Sequence, residues 1–139
     1  MSNLTFTQAA DDILKLLKAV WDPTGYTLFY EDTRDQRDED QSPWAVVVVR
    51  HAAGQQDSLG GVGNRSFLRL GVVIVTIHTP SGSGLSTAYA LAKVVADAYE
   101  GVSSQNGVWF RNVRINELGR DGSFFQTNVL IDFEYTEIK

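Results

Sequence analysis

Residues 67 to 101 constrain the fold more than any other stretch of this chain. Phe67–His78 holds the run Val72-Val73-Ile74-Val75-Thr76-Ile77, apolar on both faces through its second half. A turn, Thr79-Pro80-Ser81-Gly82-Ser83-Gly84, leads into a pattern of helical period from about Gly84 to Glu100, closed by Gly101. A strand apolar on both faces belongs inside a covered sheet. The helix adds a demand of its own. Ser86, Lys93, Asp97 and Glu100 make one narrow polar stripe, while Leu85, Ala88, Tyr89, Leu91, Ala92, Val94, Val95, Ala96, Ala98 and Tyr99 cover the rest. So little polar surface means more burial than a single sheet provides. Either the helix is central in the protomer, or a partner covers its second side.

The other elements follow from period and punctuation. Thr5 with Gln8 three residues on has the form of a capping box, and Ala10, Ile13, Leu14, Leu17, Val20 and Trp21 recur at helical spacing. Asp22-Pro23 and Gly25 stop that helix. Tyr26–Tyr30 is a short aromatic strand, and Trp44–Arg50 is a strand apolar on both faces. Two long loops flank it, at about 31–43 and 52–66. The first has no apolar anchor and the second has glycines at 54, 60, 61 and 63. Trp109–Leu118 and Ser123–Glu137 form a hairpin across Gly119-Arg120-Asp121-Gly122. In the last strand Phe125, Thr127, Val129, Ile131, Phe133 and Tyr135 share one face, with Gln126, Asn128, Asp132 and Glu134 on the other. The order α-β-β-β-α-β-β predicts one α+β domain over residues 1–139. It has a mostly antiparallel sheet of about five strands, with two helices on one face.

Composition narrows the function. The 139 residues are 43% hydrophobic, enough for a core without staples, and include no cysteine. That excludes disulfide frameworks, thiol catalysis and cysteine-ligated zinc. The first apolar segment is broken by Asp11, Asp12, Lys15 and Lys18, which argues against a secretory leader and predicts synthesis in the cytoplasm. No apolar run reaches the roughly 20 residues of a membrane helix. Net charge is −5, of which −4 lies between Glu31 and Asp40. An acidic chain gives no groove for sequence-specific nucleic acid.

Each chemical motif is incomplete. The Gly82–Gly84 turn stands where a phosphate loop would, but Gly84 is followed by Leu85 and no lysine occurs before Lys93. His51 and His78 lie at strand ends without a second ligand at metal spacing. No Gly-x-Ser-x-Gly elbow is present. The acidic cluster lacks the spacing of an EF-hand. No catalytic residue, cofactor or metal is therefore assigned. Two surfaces remain. Glu31, Asp32, Asp35, Asp38, Glu39 and Asp40 form an acidic loop suited to repelling DNA phosphate. Arg65 and Arg69, with Arg50 and Arg34 as neighbours, are placed to pair with acidic groups of an adjoining subunit.

The pattern as a whole resembles the tail-terminator and neck proteins of long-tailed bacteriophages, similar to the lambda-type terminator. The resemblance rests on the capped first helix, Trp44 opening a strand after Pro43, and the alternation Gly63-x-Arg65-x-Phe67-x-Arg69-x-Gly71. It extends through the Pro80-x-Gly82-x-Gly84 turn to the Ala-rich helix closing on Tyr99-Glu100-Gly101. It implies a non-enzymatic virion protein of the tail or neck, forming a homo-oligomeric ring that is six-fold in the lambda-type case. Such a ring caps the major tail tube protein, halts its polymerisation and meets the head-tail connector protein, and DNA only passes through it. On this reading Arg69→Glu leaves the protomer folded but abolishes termination. The alternatives are another head-tail connector adaptor, or a small-ligand or nucleotide-binding α+β domain using Gly82–Gly84.

Overall fold

Thr5 and Gln8 cap the first helix reciprocally, as their spacing predicts: the Gln8 N–H donates to Thr5 Oγ1 at 3.3 Å and the Thr5 N–H to Gln8 Oε1 at 3.2 Å. The computed structural model describes residues 4–30, 43–56, 58, 60–80, 85–104, 106–121 and 124–139. Helix α1 (Phe6–Trp21) ends in a 3-10 turn (Asp22–Thr24), where Gly25 takes the left-handed conformation at φ 77°. Then come β1 (Thr27–Tyr30), β2 (Trp44–Gln56), β3 (Ser66–Pro80), α2 (Leu85–Tyr99), β4 (Trp109–Asp121) and β5 (Phe124–Ile138). The strands form one sheet in the order β1-β2-β3-β5-β4, antiparallel except for β1 against β2. The chain is thus an α+β fold with the predicted element order.

Both helices pack on one face of this sheet. Ala9, Ile13, Leu17 and Trp21 recur every four residues along α1 and are fully buried. They meet Leu91, Ala92, Val95 and Tyr99 of α2, and below them the inward residues of the sheet, among them Val47, Val73, Val75, Ile77, Val129 and Ile131. The apolar breadth of α2 is largely used inside the protomer, because α2 lies against β3, β4, β5 and α1. Tyr99 fastens the helices together: its hydroxyl donates to the Ile13 carbonyl at 2.8 Å, and burial raises its pKa far above the usual tyrosine value. Only the first turns of α2 keep large apolar groups exposed, Leu85 and Tyr89.

One expected loop is shorter than the sequence suggests. The stretch predicted as loop from about 52 to 66 is strand through Gln56, leaving a connection of residues 57–65. In the sequence Gly54 reads as a loop glycine. It is a close-approach glycine inside a strand, where an added Cβ would lie 2.5 Å from Arg69 Nη1. Gly119, expected in the hairpin turn, instead sits at a register shift of β4 with φ 86°. The other expected loop, about 31–43, lies outside the described residues except for Pro43.

Candidate assembly surface

The alternation Phe67-x-Arg69-x-Gly71 becomes physical once β3 forms, because period two puts these positions on one face, the helical one, with Arg65 just before the strand. Gly71 is opposite Phe133 in the register, and an added Cβ there would lie 2.4 Å from the Phe133 ring and 2.3 Å from the Arg50 carbonyl oxygen. Arg69 Nε and Nη2 both donate to Glu137 Oε1, at 3.2 and 3.0 Å. The two side chains are only 16% and 11% exposed, so this pair is held largely out of water. The Arg69 guanidinium also lies over the rings of Phe6 and Phe67, at 5.1 and 5.3 Å. Arg65 is half-buried, donates to the Lys139 carbonyl at 3.3 Å, and stands 5.8 Å from the Phe67 ring. Arg69 therefore serves its own protomer, while Arg65 lies nearer the surface.

His51 completes this cluster and was missed as part of it, since sequence spacing gives no sign of a partner 84 residues away. Its Nε2 shares a 2.7 Å hydrogen bond with the Tyr135 hydroxyl, and its ring meets Phe6, Phe133 and Tyr135 edge-on. Burial, and then the charge of Arg69, lower the His51 pKa. Burial pushes the Tyr135 hydroxyl up to about 12. The sign of the resulting pH dependence is fixed. The unfolded chain binds a proton on His51 near the ordinary value of about 6.5, whereas the folded chain resists it, so stability falls as pH drops below that value. We expect the urea midpoint to be flat above this window and to decline below it, less steeply in His51→Gln. Parallel profiles for the two proteins would rule His51 out as the source.

The sheet face away from the helices is the second surface. Its rows, read from the register, are Trp44–His78–Gln126, Val46–Thr76–Asn128–Asn116, Val48–Ile74–Leu130–Arg114 and Arg50–Val72–Asp132–Arg111. At one end Trp44 stacks on His78 at 3.7 Å, with Phe29 and Phe124 edge-on to the indole. The centre is aliphatic: Val46, Val48, Val72, Ile74 and Leu130. Towards β4 the face turns ionic. Asn112 and Arg114 donate to Asp132 at 3.0 and 3.2 Å, and Arg111 pairs with Glu134. The Asn112 bond first, and then the arginines, hold the Asp132 pKa below its ordinary value against the opposing effect of burial. No described helix lies on this face.

Of the other positions singled out in the sequence, Arg34, the six acidic loop residues Glu31, Asp32, Asp35, Asp38, Glu39 and Asp40, and Gly82–Gly84 lie outside the described residues. His78 belongs to the aromatic stack and Arg50 to the exposed edge of the open face. Among the described residues no three His, Asp or Glu side chains are grouped to hold a metal ion, and no helix is long and apolar enough to cross a membrane. The buried Asp12 accepts from Ser104 Oγ at 2.8 Å and Asn106 Nδ2 at 3.0 Å, which ties the 103–108 turn to α1.

Neither a family model nor a curated protein matches the chain. The fold does recur among solved structures. One of them, whose own name describes no function, aligns over 94% of this chain and 96% of its own at 13% identity, with a TM-score of 0.65. At that identity the likeness is one of fold, and it spans the whole α+β architecture described above.

Proposed function

We propose that this chain is a structural subunit of a long-tailed phage neck, a tail terminator whose ring caps the tail tube and joins it to the head. The observation that carries the reading is the open sheet face. Both helices occupy one side of the sheet, and an aliphatic centre of five side chains on the other has no helix over it among the described residues. Burying such a surface is the ordinary driving force of subunit association. The resemblance of the sequence pattern to tail terminators supplies the kind of assembly. Within it Arg65 is the cation offered to a neighbouring subunit or the tube, and the acidic loop from Glu31 to Asp40 faces DNA phosphate.

The test is reconstitution with the major tail tube protein. Added protein should give tubes of bounded length with a ring at one end in electron micrographs, and Arg65→Glu should weaken that capping. Tubes that keep lengthening at saturating protein would overturn the proposal. Binding to the head connector without binding to the tube would replace it with a connector adaptor.

A further inference from the structure

Three cations gather round the Phe67 ring. The Arg69 guanidinium and the Lys139 ammonium each lie 5.3 Å from its centroid, and the Arg65 guanidinium lies 5.8 Å away. Glu137 answers Arg69. Arg65 gives its Nε–H to the Lys139 carbonyl, and among the described residues no side-chain carboxylate pairs with Arg65 or Lys139. Lys139 is exposed and Arg65 half-buried, so both charges are open to solvent. The ring face attracts these cations and fixes their positions without neutralising them.

The surplus of negative charge is fastened to the opposite end of the sheet. The sequence Glu31–Asp40, six acids with two arginines, carries −4 of the chain's net −5. It joins Tyr30, in register with Val47 and Val75, to Trp44, in register with His78. Along β3, Val75 is eight residues from Phe67 and His78 eleven, about 26 and 36 Å at the rise of an extended strand. A path from Tyr30 to Phe67 and back to Trp44 therefore needs about 60 Å, while the fourteen residue steps between them span at most about 50 Å. A protomer's own acidic segment falls short of Phe67. That of a second copy is under no such limit.

We infer that Arg65 and Lys139, held on Phe67, receive the acidic segment Glu31–Asp40 of a second copy. The inference rests on the ring reading above and names one of its contacts. Cations and acids stand at opposite ends of one sheet, so the contact runs head to tail and repeats from copy to copy. That is the kind of contact that closes into rings. Answering two of the segment's charges leaves it at −2, still acidic towards DNA phosphate.

The test reverses each side in turn. Arg65→Glu/Lys139→Glu takes the cation pair from +2 to −2, and Asp35→Lys/Asp38→Lys/Glu39→Lys takes the segment from −4 to +2. Each variant alone, free or on tail tubes, should need at least ten times the wild-type concentration to form rings. An equal mixture should recover assembly, because alternating copies then present opposite charges at every contact. Rings from either variant alone at the wild-type concentration, or a mixture that fails with both melting temperatures unchanged, would overturn the inference. Wild-type protein supplies an arm free of any folding defect. Rings built from equal parts of light and heavy-isotope chains are treated with a carbodiimide, which joins a carboxylate to an adjacent amine. An amide between Lys139 and an acid of Glu31–Asp40, in mixed-isotope pairs, is expected. Wild-type rings that lack this link, show it only within single chains or link Lys139 to Asp57 in its place remove the contact and leave the ring reading standing. Wild-type protein that stays monomeric with and without tubes removes both.

Discussion

Arg69→Glu lowers the stability of the protomer by about 3–5 kcal/mol, the usual cost of breaking a buried ion pair by altering one partner. The substitution leaves Glu137, itself 9% exposed, facing a second carboxylate in place of two charge-assisted hydrogen bonds. It also strips the cation from the faces of Phe6 and Phe67. The sequence alone leads to the opposite expectation, a folded protomer defective only in assembly. Denaturant unfolding separates the two outcomes. A midpoint that falls sharply for Arg69→Glu and recovers in part for Arg69→Glu/Glu137→Arg supports the intramolecular pair. An unchanged midpoint would return Arg69 to the surface. Because of this cost, loss of tail termination in Arg69→Glu would not identify an interface, and Arg65→Glu is the cleaner variant for that purpose.

Gly71→Ala is the second large effect, at roughly 3 kcal/mol, the upper part of the usual range for overpacking. A methyl group at this position meets two obstacles of different kinds, the Phe133 ring at 2.4 Å and the Arg50 carbonyl at 2.3 Å. The ring can be trimmed, but the carbonyl belongs to the β2 backbone and moves only if the strand moves. Phe133→Leu in the same chain should therefore restore only part of the loss. Gly61→Ala is the control, since nothing lies within 4 Å of a Cβ there, and its effect should stay within about 0.5 kcal/mol. Equal urea midpoints for Gly71→Ala and wild type would refute the packing argument.

These two residues show where sequence reasoning reached and where it stopped. The alternation Arg65-x-Phe67-x-Arg69-x-Gly71 was visible. What lay across from these residues was not. Glu137 is 68 residues from Arg69 and Tyr135 is 84 from His51, and no local period encodes such distances. An arginine in a glycine-rich approach therefore reads as a surface contact until its buried partner is known. Gly54 failed for a related reason. A glycine in a turn and a glycine beneath an arginine look alike in one dimension.

Elsewhere local chemistry was sufficient. The capping box fixed the start of α1, Asp22-Pro23 and Gly25 its end, and the two-residue period of Thr127, Val129, Ile131, Phe133 and Tyr135 the buried face of β5. The breadth of α2 showed that it needed cover on two sides, though only the fold showed that α1 provides the second.

The sequence by itself determined the element order, the α+β class and the buried face of the last strand, because caps, proline stops and side-chain periods are properties of neighbouring residues. Only the tertiary structure decided that Arg69 is internal, that Gly71 makes room for Phe133, and that α1 covers the second side of α2. Those facts depend on which elements lie side by side, and register is set by long-range packing.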